Sequence, residues 1–137
     1  MNSIFSSGVI PILEKSLDAV SLRQNAIADN IANVNTPNYK KKVVSFEEEL
    51  KSALGRPGGR LPAMITHPKH IPIGGSSLSS LQPQIHLDKN TRWRNDGNNV
   101  DIDVEMGEMA KNTIKYQALT QRISQKFSSI KTVLEGR

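Results

Sequence analysis

The pair His67 and His70 has a spacing with which two imidazole rings can bind one metal ion. Such a pair would supply two of the four ligands of a zinc site. Pro68 lies between them and excludes the regular helical geometry that would direct both rings at the same ion. No carboxylate lies nearby in the sequence to complete the site. We therefore interpret these residues, like the isolated His86, as loop histidines.

A second candidate is the acidic segment 96–105, DGNNVDIDVE, which superficially resembles a calcium-binding loop. Counting Gly97 as the sixth loop position puts Arg92 at the first, where calcium requires a carboxylate. A turn followed by an acidic helix start explains the same residues without a metal. The sequence also lacks cysteine, a phosphate-binding glycine loop and a serine nucleophile motif. We predict no catalytic residue, no cofactor and no metal, and hence a protein that is not an enzyme.

Asparagine is the polar residue with the most uneven distribution, since five of the eleven asparagines fall within 25–38. The run 30–40 reads NIANVNTPNYK. Pro37 forces the preceding residue towards an extended conformation and so ends the helix that leads into it. Asparagine is a poor helix former, so the asparagines inside that helix need compensating contacts. Asn30 and Asn33 share a face, and we predict that their amides bond to an adjacent subunit.

Two long apolar stripes occupy the ends of the chain. From Ile10 to Val34, seven of eight positions spaced by three and four are apolar, and from Ile102 to Leu134 eight of ten are. A sustained seven-residue repeat favours a coiled coil. The stripes predict an N-terminal helix over 1–35 and a C-terminal helix over 98–137. In this mainly α fold the two helices pair as an antiparallel coiled coil, and both chain ends together form one assembly domain.

The helices are joined by a turn and connecting segment, 36–54, and by an irregular middle, 55–97. The middle contains six glycines, five prolines and four serines in 43 residues, which excludes a long helix. Alternating apolar residues at 71–73 and 85–87 are compatible with a short β-hairpin and equally with a loop.

The composition leaves little material for a private core, since 36% of the residues are hydrophobic and 4% aromatic. We expect partner chains to supply the rest. The net charge of +5 raises the alternative of a basic coiled-coil protein that binds nucleic acid, which requires cations beside the heptads. Residues 10–34 carry only Lys15 and Arg23, so we interpret the charge as a solvated surface. No apolar run is long enough for a signal peptide or a membrane span.

The run 22–46, LRQNAIADNIANVNTPNYKKKVVSF, closely resembles the N-terminal signature of the bacterial flagellar rod, hook and hook-associated axial proteins. In that family a helix ending in N-x-A-N-x-x-T-P-x-Y-K leads into the central region. The run 97–119, GNNVDIDVEMGEMAKNTIKYQAL, is most similar to the proximal rod members. One departure is Asn38, where many members have glycine. Because asparagine tolerates the left-handed conformation, we expect the turn to be kept.

The resemblance implies a structural subunit of the proximal rod of the flagellar basal body, which assembles into a helical tube and transmits torque from the membrane ring. The implied partners are copies of itself, other rod proteins, the membrane ring with its adaptor protein, and the flagellar export apparatus. Nucleic acid is not among them, and no direct membrane span is implied. The implied location is periplasmic, with export through the flagellar type III route and no cleaved signal peptide. Another flagellar rod paralogue is the nearest alternative.

The predicted assembly interface combines positions of both apolar stripes with the polar residues of the turn. Its members are Leu17, Val20, Ile27, Asn30, Ile31, Asn33, Val34, Thr36, Pro37, Tyr39, Met106, Met109, Tyr116, Ile123, Phe127 and Ile130.

Overall fold

The computed structural model describes residues 9–54, 81–89, 91 and 94–136. Within them the chain forms α1 (Val9–Ala32), β1 (Lys42–Ser45), α2 (Glu47–Leu54), β2 (Gln84–Leu87) and α3 (Ile102–Leu134). The prediction of a mainly α fold with two long helices is confirmed. The histidine pair at 67 and 70 and the alternation at 71–73 lie outside the described residues.

The two long helices lie side by side and run antiparallel, as predicted. The end of α1 meets the start of α3, where the Asn30 amide lies 3.0 Å from the Glu105 carboxylate. Further along the pair, Asn112 Nδ2 donates to Gln24 Oε1 at 2.8 Å. Near the opposite end, Leu13 of α1 borders a cavity with the second half of α3.

The two helices differ in what the chain buries of them. α1 buries the stripe residues Leu13, Val20 and Ile27, because it packs against β1 as well as α3. In α3 the buried residues are Glu105 and Asn112, both polar. The apolar stripe of α3 therefore remains partly exposed in the single chain.

A small antiparallel sheet connects the helices, with the register Val44 opposite Ile85 and Lys42 opposite Leu87. The alternation at 85–87, which the sequence left open between a loop and a short β-hairpin with 71–73, lies in a strand. The partner strand is β1, which comes from the segment predicted to be a turn and connection. Burial holds β1 on α1, since Val44 is 6% exposed, whereas all four residues of β2 are exposed.

The helix α2 closes the space between β1 and the long helices. Ala19, Phe46 and Leu81 form a small hydrophobic cluster, and Leu50 of α2 packs against it. Burying these side chains is favourable by roughly 1.5–3 kcal/mol for each large apolar residue. The cluster thus fixes α2 on the side of α1 that β1 also covers.

An ion pair holds the first turn of α2. Arg23 donates from Nη1 and Nη2 to the two Glu47 oxygens at 2.6 and 2.5 Å, and Nη2 also donates to the Val44 carbonyl at 3.2 Å. The Arg23 guanidinium lowers the pKa of Glu47 from 4.5 to about 2. A lowered carboxyl pKa means that the pair stabilises the fold above about pH 4.5 and that this contribution is lost as the pH falls through about 2. Because the Glu47 side chain is 55% exposed, solvent limits the contribution to less than about 1 kcal/mol.

We expect Arg23→Gln to raise the pKa of Glu47 towards 4.5, because the guanidinium is the main group that stabilises the carboxylate. A carbon-13 NMR titration of the Glu47 side-chain carboxyl measures this pKa directly. Lys15→Gln removes a cation from the same helix without touching Glu47 and should leave the pKa near 2. A Glu47 pKa that stays near 2 in the Arg23→Gln protein would contradict the assignment.

Candidate functional site

The turn after α1 is built by its own side chains. Asn33 Nδ2 donates to the Asp29 carbonyl at 2.8 Å, and Thr36 Oγ1 donates to Asn33 Oδ1 at 3.1 Å. Asn38 has a φ of 60°, so the expectation that asparagine would keep the left-handed turn is confirmed. These local bonds turn the chain sharply towards β1.

Asn98 is fully buried and closes this turn from the other end of the sequence. Its Nδ2 lies 2.9–3.0 Å from the carbonyl oxygens of Asn33, Val34 and Thr36. Its Oδ1 accepts from the Val100 amide at 2.8 Å. Carbonyl groups at a helix C-terminus lack partners within the helix, so one buried amide here satisfies several of them.

Asn38 and Gly97 face each other across the turn, and both have positive φ, at 60° and 78°. The Asn38 amide donates to the Asp96 carbonyl at 2.9 Å, and Lys40 Nζ donates to the Gly97 carbonyl at 2.6 Å. A Cβ atom at position 97 would lie 2.7 Å from Asn38 Oδ1. The positive φ therefore favours glycine here, and a Cβ atom would also force the Asn38 side chain to move.

Asn30 is also fully buried, and its amide is saturated. Nδ2 donates to the Lys42 carbonyl at 2.9 Å and to Glu105 Oε2 at 3.0 Å. Oδ1 accepts from the Lys42 amide at 2.8 Å and from the Tyr39 hydroxyl at 3.4 Å. All these partners lie in the same chain, where the sequence analysis expected them in an adjacent subunit. Burial raises the pKa of Tyr39, which keeps that hydroxyl a donor.

Glu105 supplies the charge at this point. Its side chain is 1% exposed, and Oε1 lies 2.6 Å from Lys41 Nζ. That contact is an ion pair without the alignment of a hydrogen bond, since Oε1 otherwise has no hydrogen-bond partner among the described residues. The sequence analysis assigned Glu105 to an acidic helix start, and the structure places its side chain inside the chain, opposite Asn30 and Lys41.

Asn99 connects the strands to the start of α3. Its Oδ1 accepts from the Lys41 amide at 2.7 Å, just before β1. Its Nδ2 donates to the Asp88 carbonyl and to Thr91 Oγ1, both at 2.8 Å, just after β2. One side chain thus holds three segments together.

We call Asn30, Asn98, Asn99 and Glu105 the asparagine cluster. Its amides bond to backbone atoms from both halves of the chain, and its carboxylate is paired. Across the described ranges, no group of three or more His, Asp or Glu side chains is arranged to hold a metal ion. The cluster fixes the shape of the subunit.

The structure divides the predicted interface residues into three groups. The buried residues are Val20, Ile27 and Asn30. The partly buried residues are Leu17, Ile31, Asn33, Val34, Tyr39, Met109, Ile123 and Ile130. The exposed residues are Thr36, Pro37, Met106, Tyr116 and Phe127.

The sequence analysis missed the inward face of α3. Glu105 and Asn112 lie one heptad apart and are buried, whereas Met106 of the predicted stripe is 53% exposed. Asn112 Nδ2 donates to the Val20 carbonyl at 3.0 Å as well as to Gln24. The sequence did contain a signal for this face. Glu105 and Asn112 are polar and spaced by seven residues beside the apolar stripe of α3, and Gln24 is the one polar position in the stripe of α1.

Comparison with known proteins places these features in a family. The family described as flagella basal body rod protein matches residues 14–40. The flagellar basal body rod protein FlgB of Bacillus subtilis is 42% identical over 134 residues, which cover 98% of each chain. FlgB of Borreliella burgdorferi is 40% identical over 122 residues, covering 87% of this chain and 90% of the relative. FlgB of Escherichia coli is 30% identical over 126 residues, covering 90% of each.

The fold and the asparagine cluster define a structural subunit in which the two chain ends form one helical pair. The class is that of the flagellar rod proteins, whose match includes α1 and the turn after it. Within this class, the chain belongs to the FlgB family of flagellar basal body rod proteins.

We expect Asn30→Ala to lower the free energy of unfolding by about 2–3 kcal/mol, because it leaves the Lys42 backbone and Glu105 with unsatisfied buried groups. Urea denaturation followed by circular dichroism measures the loss. Asn25→Ala is the matched control, because Asn25 is exposed on the same helix. Alanine is the better helix former, so this variant should be unchanged or gain about 0.5 kcal/mol. Equal effects of the two substitutions would rule out the role assigned to Asn30.

We expect Gly97→Ala to destabilise the chain by at least about 1 kcal/mol, because the position combines a positive φ with a contact to Asn38. Gly107→Ala is the control, since a Cβ at Gly107 in the middle of α3 meets nothing within 4 Å. That variant should gain about 0.5–1 kcal/mol, the usual advantage of alanine over glycine in a helix. Thermal unfolding of the pair measures both changes, and a Gly97→Ala protein as stable as the Gly107→Ala protein would refute the expectation.

Proposed function

We propose that this chain is a subunit of the proximal rod, and that it assembles with copies of itself and other rod proteins into a helical tube that transmits torque from the membrane ring. The observation that carries the proposal is the inverted burial of α3. Its buried residues Glu105 and Asn112 are polar, whereas Met106, Tyr116 and Phe127 are 53%, 48% and 50% exposed. Exposed apolar residues along one helix are typical of a surface that another chain covers.

Two parts of the predicted interface suit such contacts. The first is the stripe of α3, whose apolar side chains are left exposed or partly exposed by α1. The second is the turn, where Thr36 and Pro37 are exposed while the cluster beneath them is fixed. A rigid turn and a rigid helix face lose little conformational entropy on assembly, which favours repeated contacts between subunits. The buried residues Val20, Ile27 and Asn30 would contribute indirectly, by fixing the position of the exposed interface residues.

We infer that the chain acts without catalysis or cofactor, and that it is a mechanical element of the basal body. Support comes from the relatives, which are named as rod proteins, and from the asparagine cluster, whose amides are bonded within the chain. Its proposed partners beyond the rod are the adaptor protein of the membrane ring and the flagellar export apparatus. The proposed location is the periplasmic rod, reached by export without a cleaved signal peptide. The similarity of residues 22–46 to the axial signature supports both.

Among the described helices, none combines the length and the apolar character needed to cross a membrane.

We expect Phe127→Asp to remove the chain from assembled rods without unfolding the monomer. The side chain is half exposed in the single chain, so a charge there costs little until a neighbouring subunit covers it. Swimming in soft agar and the presence of the chain in purified basal bodies measure assembly, and circular dichroism checks the monomer. Gln121→Asp, an exposed position on the same helix, is the control and should keep motility. Normal rods in cells with the Phe127→Asp chain would contradict an interface at this position.

A further inference from the structure

A cavity of about 450 Å³ opens between the start of α1 and the second half of α3, at the end of the molecule opposite the asparagine cluster. Two apolar residues of α1 form one side, and polar and basic residues of α3 form the other. The lining residues are Val9, Leu13, Arg122, Gln125, Lys126 and Ser129.

The basic side of this groove lacks partners within the described chain. Arg122 and Lys126 are four residues apart, so they share a face of α3, and both are exposed. Neither has an ion pair with any described residue. One heptad before Arg122, Lys115 Nζ lies 3.4 Å from the Glu47 carboxylate of α2. A cation on this face of α3, Lys115, is therefore already paired with a carboxylate one heptad away. Arg122 and Lys126 at the groove have no such partner among the described residues.

The matching charges lie on the outward face of α1. Glu14 and Asp18 are also four residues apart and exposed, and the described residues offer neither of them an ion pair. Glu14 follows Leu13, which lines the groove, and the register set by the Asn30–Glu105 and Gln24–Asn112 contacts puts Glu14 level with Arg122, one helical turn from Lys126. The next outward positions, Ser21 and Asn25, are not bulky enough to hold a neighbouring helix away.

The antiparallel arrangement of α1 and α3 fixes how two copies would align. If a second copy lies alongside the first in the same orientation, its α1 runs antiparallel to the first copy's α3. When that copy is also displaced by four residues, about 6 Å, along the helix pair, Glu14 comes opposite Lys126 and Asp18 comes opposite Arg122. Both pairs form at once because both spacings are one helical turn.

We propose that Arg122 and Lys126 of one subunit bind Glu14 and Asp18 of a second copy of this chain, as a lateral contact between neighbouring subunits. The two surfaces are different, so the contact is heterologous and leaves each subunit able to bind on both sides. Because each contact carries a displacement along the helix axis, its repetition generates a helical wall. The inference rests on the proposed rod function and specifies one of its contacts.

Charge reversal tests the contact with the full-length chain. We expect wild-type chains to self-associate in sedimentation velocity at low ionic strength and to dissociate as salt is added. Glu14→Lys with Asp18→Lys, and separately Arg122→Glu with Lys126→Glu, should each weaken association at least tenfold. An equimolar mixture of the two double variants should restore it, because every contact in the mixture is again between opposite charges.

The rescue by mixing also shows that both variants are folded. Lys51→Glu, which reverses an exposed cation outside the contact, is the control and should associate like the wild type. A wild-type chain that stays monomeric, variants that associate normally, or a mixture that is not restored would each overturn the contact.

Cross-linking in assembled rods separates this contact from the proposed function. The chain has no cysteine, so a Glu14→Cys chain and a Lys126→Cys chain expressed together carry one thiol each. We expect a disulfide-linked dimer in purified basal bodies, and none when Asn25→Cys replaces Glu14→Cys, since position 25 lies about 16 Å further along α1. Motile cells with no cross-link would overturn the lateral contact and leave the rod function standing. Absence of the wild-type chain from basal bodies would instead contradict the rod function itself.

Discussion

The carboxylate of Glu105, buried between Lys41 and Asn30, is the contact on which the arrangement of the subunit depends. A charge removed from water costs several kcal/mol unless its partners are in place. Here those partners belong to α1 and to the segment just before β1, while Glu105 itself belongs to α3. The desolvated carboxylate is satisfied only when all three segments meet. A buried ion pair of this kind contributes more to specifying one geometry than to net stability.

From residue 98 to the end of α3, four of the five buried side chains are polar. Asn98, Asn99 and Asn112 are all buried, while Ile114 and Phe127 of α3 are 66% and 50% exposed. A globular protein of this size would reverse that distribution. Along α3, the buried polar side chains specify how the two halves of the chain fit, and the exposed apolar side chains form the area that we propose other subunits cover. In that proposal, fold specification and assembly depend on different side chains of the same helix.

Sequence reasoning predicted the elements that depend on local pattern. The heptads predicted both long helices, and the tolerance of asparagine for positive φ predicted the turn at Asn38. The face of α3 was mispredicted because a hydropathy pattern counts apolar residues, and Glu105 and Asn112 are polar. The partners of Asn30 were mispredicted because one of them lies 75 residues away. Local sequence shows that such an amide needs partners without showing which segment provides them.

The position of the cluster also explains why one end of the molecule is suited to assembly. The long helices are joined by polar contacts at the end of α1, while their other ends lie about 30 Å away at 1.5 Å per residue. At that distance, Leu13 packs beside the groove, and the charges of α3 are without partners among the described residues. In the proposed assembly, a neighbouring subunit completes the contacts at this end, whereas the polar contacts at the other end are already made within the chain.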